Sequence, residues 1–404
     1  MPVYLIGTLD TKGTEVGYVR DRLHALDIDA VVVDTGCLGE PPLVADISRE
    51  EVFAAAGQSL EELRQLGDRG QAVTHAAIGV ANLISQAWAK GEVDGVLGLG
   101  GSAGTTIGTS AMRGLPLGVP KLMVSTLASG QTRPYVGGKD ILMLNSVVDI
   151  AGLNRISRPV LDNAAHAMAG MVKFRRSEQA STGLRDRPLI AATMFGVTTP
   201  CVDRARQVLE EAGYEVIVFH ATGNGGEAME ALIADGVFVG VLDITTTELA
   251  DELVGGILTA GPNRLTAAGS CGIPQVISVG ALDMVNFGPA STVPEKFKDR
   301  KFYQHNPTVT LMRTNVEENQ KLGEEIGRKA AAAIGATSIV IPLKGVSAID
   351  QTGKVFDDPA ARGALFGGIR ATHGSIELIE LDNQVNDPSF AEAAAYKLLN
   401  LIQT

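Results

Sequence analysis

The stretch Gly98-Leu99-Gly100-Gly101-Ser102-Ala103-Gly104-Thr105-Thr106 decides the fold of this chain. It follows an apolar run, residues 93–97, that is typical of a buried strand, and it leads into small and apolar residues that can begin a helix. A strand, a glycine-rich turn and a helix in this order leave backbone N–H groups free at the positive end of the helix dipole, where phosphate binds. A turn whose glycines serve only tight packing is the alternative interpretation.

Two common nucleotide motifs do not fit this loop. The spacing Gly98-x-Gly100-x-x-Ala103 matches the dinucleotide fingerprint, but that motif needs a carboxylate at the end of the next strand, where this chain has Ser125-Thr126. A Walker loop would need a lysine directly after Gly104. A backbone site for phosphate therefore remains, and we predict that it consists of Gly100, Gly101, Ser102, Gly104, Thr105 and Thr106.

Composition narrows the class of protein. The 404 residues suffice for two domains, and 47 glycines with 45% hydrophobic residues suit an α/β fold with many tight turns. A net charge of −12 argues against general nucleic-acid binding. The three cysteines form no CxxC pair, so we predict neither a metal site nor disulfides. Because the chain begins with a strand and has no long apolar run, we expect a cytoplasmic protein without membrane contact.

The chain divides into two halves of similar pattern. Residues 174–188 lose helical periodicity and gain charge, which indicates a linker. We therefore predict two subdomains, residues 1–183 and 184–404. Each half alternates strands and helices, which predicts two Rossmann-like, doubly wound subdomains with mainly parallel sheets, facing each other across a cleft that holds the site. Within the second half, residues 280–313 show little regular pattern, and we expect a long functional loop there.

Polar side chains follow several predicted strands. We expect residues 8–14 to form such a loop, before a helix from about Glu15 to Leu26. Four residues at strand exits are candidates for catalysis, and three more are candidates for cofactor binding. For the catalytic candidates a structural role, as a cap, an ion pair or a hydrogen-bonded histidine, is the alternative. The catalytic candidates are Asp10, Lys12, His220 and Asp243, and the additional cofactor-binding candidates are Ser129, Gly130 and Gln131.

Longer runs of sequence, taken together, resemble the uncharacterised protein family 0261 over nearly the whole chain. These runs are residues 6–12, 98–102, 128–132, 193–201, 219–223, 242–248, 278–289 and 344–348. The resemblance implies an ATP-binding module of two Rossmann-like subdomains, usually dimeric, with the nucleotide near the glycine loop. A plant member that inhibits viral RNA replication also has a barrel-type domain; this chain ends at Thr404, so we expect neither that domain nor the antiviral role here.

Three functional hypotheses follow. The first is an ATP-binding metabolic enzyme or enzyme subunit that acts on a phosphate-bearing small molecule at the cleft between the subdomains, with or without Mg²⁺. The number of polar loops at strand exits favours it, since a scaffold does not need so many chemical groups along one rim. The second is a non-catalytic, nucleotide-regulated module that binds a protein partner. The third places the phosphate on a sugar or an organic acid. In each case we expect a homodimer or a larger assembly.

Overall fold

A computed structural model describes residues 1–181 and 187–403 of the chain. These residues belong to two compact units, Met1–Leu184 and Arg185–Thr404. The predicted boundary between residues 183 and 184 lies outside the described residues. Each unit is a mixed α/β structure built on a parallel sheet, which confirms the predicted fold class of two Rossmann-like subdomains.

The first unit contains five strands and seven helices among its described residues. The strands are β1 (Val3–Gly7), β2 (Ala30–Asp34), β3 (Gly95–Gly100), β4 (Lys121–Ser125) and β5 (Leu142–Asn145). The helices are α1 (Leu9–Ala25), α2 (Arg49–Ala55), α3 (Leu60–Leu66), α4 (Arg69–Ala89), α5 (Ser102–Arg113), α6 (Arg133–Val136) and α7 (Ser157–Ser181). All strand pairs are parallel, in the order β2-β1-β3-β4-β5.

Both faces of this sheet are covered by helices, because its strands are apolar on both sides. In β1, Tyr4 and Ile6 face one core cluster, which includes residues of α4 and α5. Val3 and Leu5 face the other cluster, which includes residues of α1 and α7. A two-residue alternation between two buried faces is what a central parallel strand requires.

The second unit has a parallel sheet of six strands in the order β14-β13-β9-β8-β6-β7. Its first strands are β6 (Leu189–Met194), β7 (Glu215–His220), β8 (Gly240–Thr245), β9 (Gln275–Gly280) and β10 (Met284–Phe287), followed by β11 (Phe302–Asn306), β12 (Val309–Arg313), β13 (Thr337–Pro342) and β14 (Glu377–Leu381). The helices are α8 (Thr199–Glu211), α9 (Asn224–Ala234), α10 (Glu248–Val254), α11 (Ala267–Cys271), α12 (Val316–Ala331), α13 (Pro359–Thr372) and α14 (Pro388–Gln403).

The expectation of an irregular loop over residues 280–313 is wrong. This segment contains β10, β11 and β12, which form an antiparallel sheet in the order β10-β12-β11. Strand β10 is buried at every position, so it lacks the alternation of apolar and polar residues that identifies a half-exposed strand. The polar residues of β11 gave no strand pattern either, because four of its five positions are exposed.

The predicted start of the first helix is also wrong. Helix α1 begins at Leu9 rather than near Glu15, so the expected polar loop is the first part of a helix. Gly13 is a packing residue within this helix, since a Cβ there would lie 2.7 Å from Cγ of Pro42. No helix among the described residues combines the length and the apolar character needed to cross a membrane.

Candidate functional site

A cavity of about 250 Å³ opens at the carboxyl ends of β1, β2 and β3. The chain runs from β1 to β2 on one side and from β3 to β4 on the other, so the strand order reverses between β1 and β3. Ligands of open α/β sheets bind at such a switch point. The cavity is lined by Thr8, Asp10, Thr11, Lys12, Thr35, Gly36, Cys37, Leu38, Arg69, Ala72, Val73, Gly101, Ser102, Ala103, Gly104 and Ile107.

The first turns of α1 and α5 both contribute to this lining, which gives the cavity a positive electrostatic character. In α5, the first backbone hydrogen bond of the helix is donated by the N–H group of Thr105 to the oxygen of Gly101, at 2.8 Å. The N–H groups of residues 102–104 have no acceptor among the described residues, as is usual for a first helical turn. The lining side chains add two cations, Lys12 and Arg69, and one carboxylate, Asp10. Three of the predicted loop residues, Gly101, Ser102 and Gly104, therefore line an anion-attracting cavity.

The glycines of the loop have different roles: some are required for tight packing, and one is not. A Cβ at Gly100 would lie 2.6 Å from Cα of Gly104, and a Cβ at Gly104 would lie 3.1 Å from the oxygen of Leu99. These two glycines are therefore needed for close packing of β3 against α5. Gly101 is different, because the nearest atom to its Cβ would be Oγ1 of Thr126, at an ordinary 3.7 Å. Its place on the cavity wall is thus not explained by packing.

The hydroxyls of Thr105 and Thr106 are bonded within the protein. Thr105 is fully buried, and its Oγ1 lies 2.7 Å from the oxygen of Gly101 and 2.6 Å from Oγ of Ser125. Thr106 donates to the oxygen of Ser102, at 3.0 Å. Neither residue lines the cavity, and Gly100 does not line it either. Of the six predicted loop residues, only Gly101, Ser102 and Gly104 are exposed to a ligand there.

Asp10 and Lys12 line the cavity, and each also has a hydrogen bond to the backbone of the protein. Oδ2 of Asp10 accepts the N–H groups of Leu38, at 2.8 Å, and Cys37, at 3.1 Å. The ammonium of Lys12 donates to the oxygen of Ile150. The Asp10 carboxylate therefore fixes the segment after β2, and Lys12 forms part of the cavity wall. Burial, followed by the nearby Asp10, raises the pKa of the Cys37 thiol, which disfavours its thiolate form.

Thr35 is a site residue that the sequence did not single out. It is 3% exposed and lines the cavity, and its Oγ1 has no hydrogen-bond partner among the described residues. A buried hydroxyl is normally bonded, so an unbonded one beside a cavity indicates a place for a ligand atom or a water. The preceding Asp34 is fully engaged, accepting from Leu9 N and pairing with Arg49. In the sequence, the only indication of this segment is that polar residues 34 and 35 directly follow the apolar run of residues 30–33.

Arg69 was missed for a different reason. It begins α4 and is exposed, so no local pattern distinguishes it from other surface arginines. Ser129, Gly130 and Gln131 are exposed on the loop after β4 and do not line the cavity. Their predicted role in cofactor binding stays a prediction. Among the described residues, no group of three or more metal-ligating side chains is arranged to hold a metal ion.

The second unit contains a comparable anion site that the protein itself fills. The N–H groups of Gly223 and Gly226, at the start of α9, donate to Oε1 of Glu248 at 2.7 and 3.1 Å. Glu248 is fully buried, and its other oxygen accepts from Nε of Arg264, at 2.6 Å. Burial raises the pKa of Glu248, against the lowering effect of Arg264. A carboxylate of the chain thus occupies the place that an anionic ligand would take.

Asp243 and His220, predicted as catalytic, lie in this second unit. Asp243 is 1% exposed and is bound by both terminal nitrogens of Arg264, at 2.5 and 2.7 Å, and by the hydroxyl of Thr193. Arg264 is fully buried as well, and its carboxylate partners raise its pKa well above its usual value, outweighing burial, which lowers it. His220 is exposed at the end of β7, with its ring 5.5 Å from that of Phe195. Neither residue lines the cavity of the first unit.

Comparison with known proteins gives the same two-part division of the sequence. Residues 1–177 match the N-terminal domain, and residues 187–402 the C-terminal domain, of the uncharacterised protein family UPF0261. A UPF0261 protein of Clostridium tetani (strain Massachusetts / E88) is 50% identical over 403 residues, covering 99% of both chains. The ToMV resistance protein Tm-1(GCR237) of Solanum lycopersicum is 41% identical over 99% of this chain, which spans 55% of that protein.

Similarity to solved structures is weak. The glycosyltransferase SsfS6 of Streptomyces sp. SF2575, in complex with thymidine diphosphate, aligns with 98% of this chain and 99% of its own. The identity is 12% and the TM-score 0.18, so this likeness carries no argument about ligand or activity. The two family models, and a relative that matches over the full length, show that this chain belongs to the uncharacterised protein family UPF0261.

Proposed function

We propose that this protein binds ATP, with or without Mg²⁺, and holds its phosphate groups in the cavity between the first turns of α1 and α5. One observation carries the proposal: residues 102–104, whose N–H groups are unbonded, line the same cavity at a topological switch point as Thr35, whose buried hydroxyl is unbonded. Oriented donors at a helix N-terminus bind phosphate without a dedicated charged side chain. Arg69 adds a positive charge at the rim of the cavity.

A binding and regulatory role is supported better than turnover. Of the four catalytic candidates, Asp10 and Lys12 line this cavity, whereas His220 and Asp243 belong to the other unit. One carboxylate oxygen of Asp10 and the ammonium of Lys12 are bonded to the backbone of the protein. The proposal is therefore a nucleotide-regulated module, which we expect to be a homodimer. A metabolic enzyme acting on a phosphate-bearing substrate is the second candidate, and the polar rim of strand exits is what favours it.

Calorimetric titration tests the proposal. ATP and inorganic pyrophosphate are each titrated into the full chain, with and without Mg²⁺, and phosphate release is followed in the same samples. We expect heat of binding with both ligands and no release of phosphate within the time of the titration. Absence of heat and of any thermal stabilisation at millimolar ATP and pyrophosphate would refute the phosphate site. Steady release of phosphate from ATP would instead establish the enzyme.

A further inference from the structure

A second cavity, of about 220 Å³, adjoins the one that we assign to phosphate. The two cavities share part of their walls, and the second has its own lining from the end of α3 and the turn into α4. Each is smaller than the roughly 300–1,000 Å³ typical of a site for a whole small ligand. A ligand that fills the first cavity alone would leave a hollow beside it. The shared residues are Cys37, Leu38, Arg69 and Ala72, and the second cavity's own residues are Leu63, Arg64, Gly67 and Asp68.

The wall between the cavities is a backbone segment held from both sides. Oδ2 of Asp10 accepts the N–H groups of Cys37 and Leu38. Arg64 donates from Nε to the oxygen of Cys37, at 2.7 Å, and from Nη2 to that of Leu38, at 3.4 Å. The side chain of Leu38 is 71% exposed, although its backbone is held by these hydrogen bonds. It is thus available to cover a ligand that extends from one cavity to the other.

The chemistry of the second cavity differs from that of the first. The N–H groups at the start of α4 are not free, because the carboxylate of Asp68 accepts those of Gly70, at 2.8 Å, and Gln71, at 3.1 Å. That carboxylate also disfavours a second anion. The remaining lining is largely apolar, from Leu38, Leu63 and Ala72, and includes the planar guanidinium of Arg64. Aliphatic side chains beside a guanidinium suit a neutral planar ring, because arginine stacks on aromatic faces.

We infer that the second cavity binds the base of the nucleotide whose phosphates occupy the first. The inference rests on the proposed function and deepens it, since it assigns each end of the ligand to its own residues. Arg69 lines both cavities and lies where the ligand passes between them. The base is expected to stack between Leu38 and Arg64, with its edge towards Asp68. An exocyclic amino group on the base could donate to that carboxylate.

The test compares a ligand that has a base with one that has none. ATP and inorganic pyrophosphate are titrated into the wild type and into two variants, Leu38→Ser and Arg64→Met. Leu38 is largely exposed, so its replacement leaves the fold intact, and the exposed Val44, which lines neither cavity, provides the matched control Val44→Ser. Since the base would cover only part of the Leu38 side chain, we expect Leu38→Ser to lower the affinity for ATP by about five- to tenfold. We expect pyrophosphate binding and the Val44→Ser protein to be unchanged.

The outcomes separate this inference from the function on which it rests. Unchanged binding of both ligands by Leu38→Ser and Arg64→Met would overturn the placement of the base and leave the phosphate site standing. Equal weakening of ATP and pyrophosphate would also overturn it, because the variants would then act through the shared wall. Absence of binding of both ligands to the wild type would refute the proposed function itself.

Discussion

Replacement of Ser102 by aspartate separates the binding role of the glycine loop from its structural role. Ser102 is exposed, is the first residue of α5 and lines the cavity. The first turn of α5 has no acidic residue, so a carboxylate there interacts favourably with the helix dipole, typically by about 0.3–1 kcal/mol. The same carboxylate repels a phosphate bound by the N–H groups of that turn. Stability and affinity are therefore expected to change in opposite directions.

The loss of affinity follows from Coulomb's law. Two unit charges about 5 Å apart repel each other by about 1–3 kcal/mol when the effective dielectric constant lies between those of water and a protein surface. That energy corresponds to a loss of about 5- to 150-fold in the affinity for pyrophosphate or ATP for each unit of ligand charge. We expect calorimetric titration to show this loss, and thermal unfolding without ligand to show an unchanged or raised melting temperature.

The matched control is Ala360→Asp. Ala360 is exposed, is the second residue of α13, and lies in a first turn that likewise has no acidic residue. It gives the same change in net charge at a helix N-terminus without altering the cavity, and its gain in helix stability is smaller because Asp358 already caps α13. We expect its affinity for pyrophosphate to equal that of the wild type. If Ser102→Asp binds pyrophosphate as tightly as Ala360→Asp does, the N-terminus of α5 is not the phosphate site.

Four further predictions concern single side chains. Thr35→Val removes an unbonded, buried hydroxyl, so chemical denaturation should show no loss of stability, and titration should show weaker binding of pyrophosphate. Asp10→Asn keeps an oxygen for the two N–H groups after β2 and should bind ATP normally, whereas Asp10→Ala should bind weakly; loss of binding in both would contradict a positioning role. Burial raises the pKa of Asp251 from 3.8 to about 7, so the folded state holds a proton that the unfolded state has lost, and stability falls as the pH rises between these values. In Asp251→Asn, the decrease in unfolding free energy from pH 4 to 7 should therefore be smaller, and an unchanged slope would refute the assignment. Glu248→Ala leaves Nε of Arg264 and two N–H groups without their acceptor and should lower the unfolding free energy by about 3–5 kcal/mol, with partial recovery in formate but not in an equal concentration of chloride.

The fold class could be predicted because its signals are local. Aspartate is a residue type that favours the N-cap of a helix, and the Asp68 side chain does cap α4. The continuous apolar runs predicted buried parallel strands, as in β3, all six residues of which are buried. Strand β10 is equally buried, but it pairs antiparallel with β12, and a run of four residues carries too little pattern to reveal that partner.

The candidate site could be predicted only in part, for a related reason. A glycine loop after a strand indicates an anion site, and both units contain one. Sequence does not show that Glu248, twenty-two residues along the chain from Gly226, already occupies the second of them. Likewise, it does not show that the hydroxyl of Thr105 is bonded to Ser125, across twenty residues, while that of Thr35 has no partner.

The sequence by itself determined the alternation of strands and helices, the apolar faces that make both sheets buried, and the free N–H groups after β3. These follow from periodicity and backbone geometry within a few residues. The tertiary structure decided which of these features remain available to a ligand. The strand order brings Thr35 and Arg69 beside Ser102 at one sheet edge, whereas in the second unit Glu248 fills the corresponding glycine turn. Availability depends on contacts between residues far apart in the chain, and no local pattern encodes them.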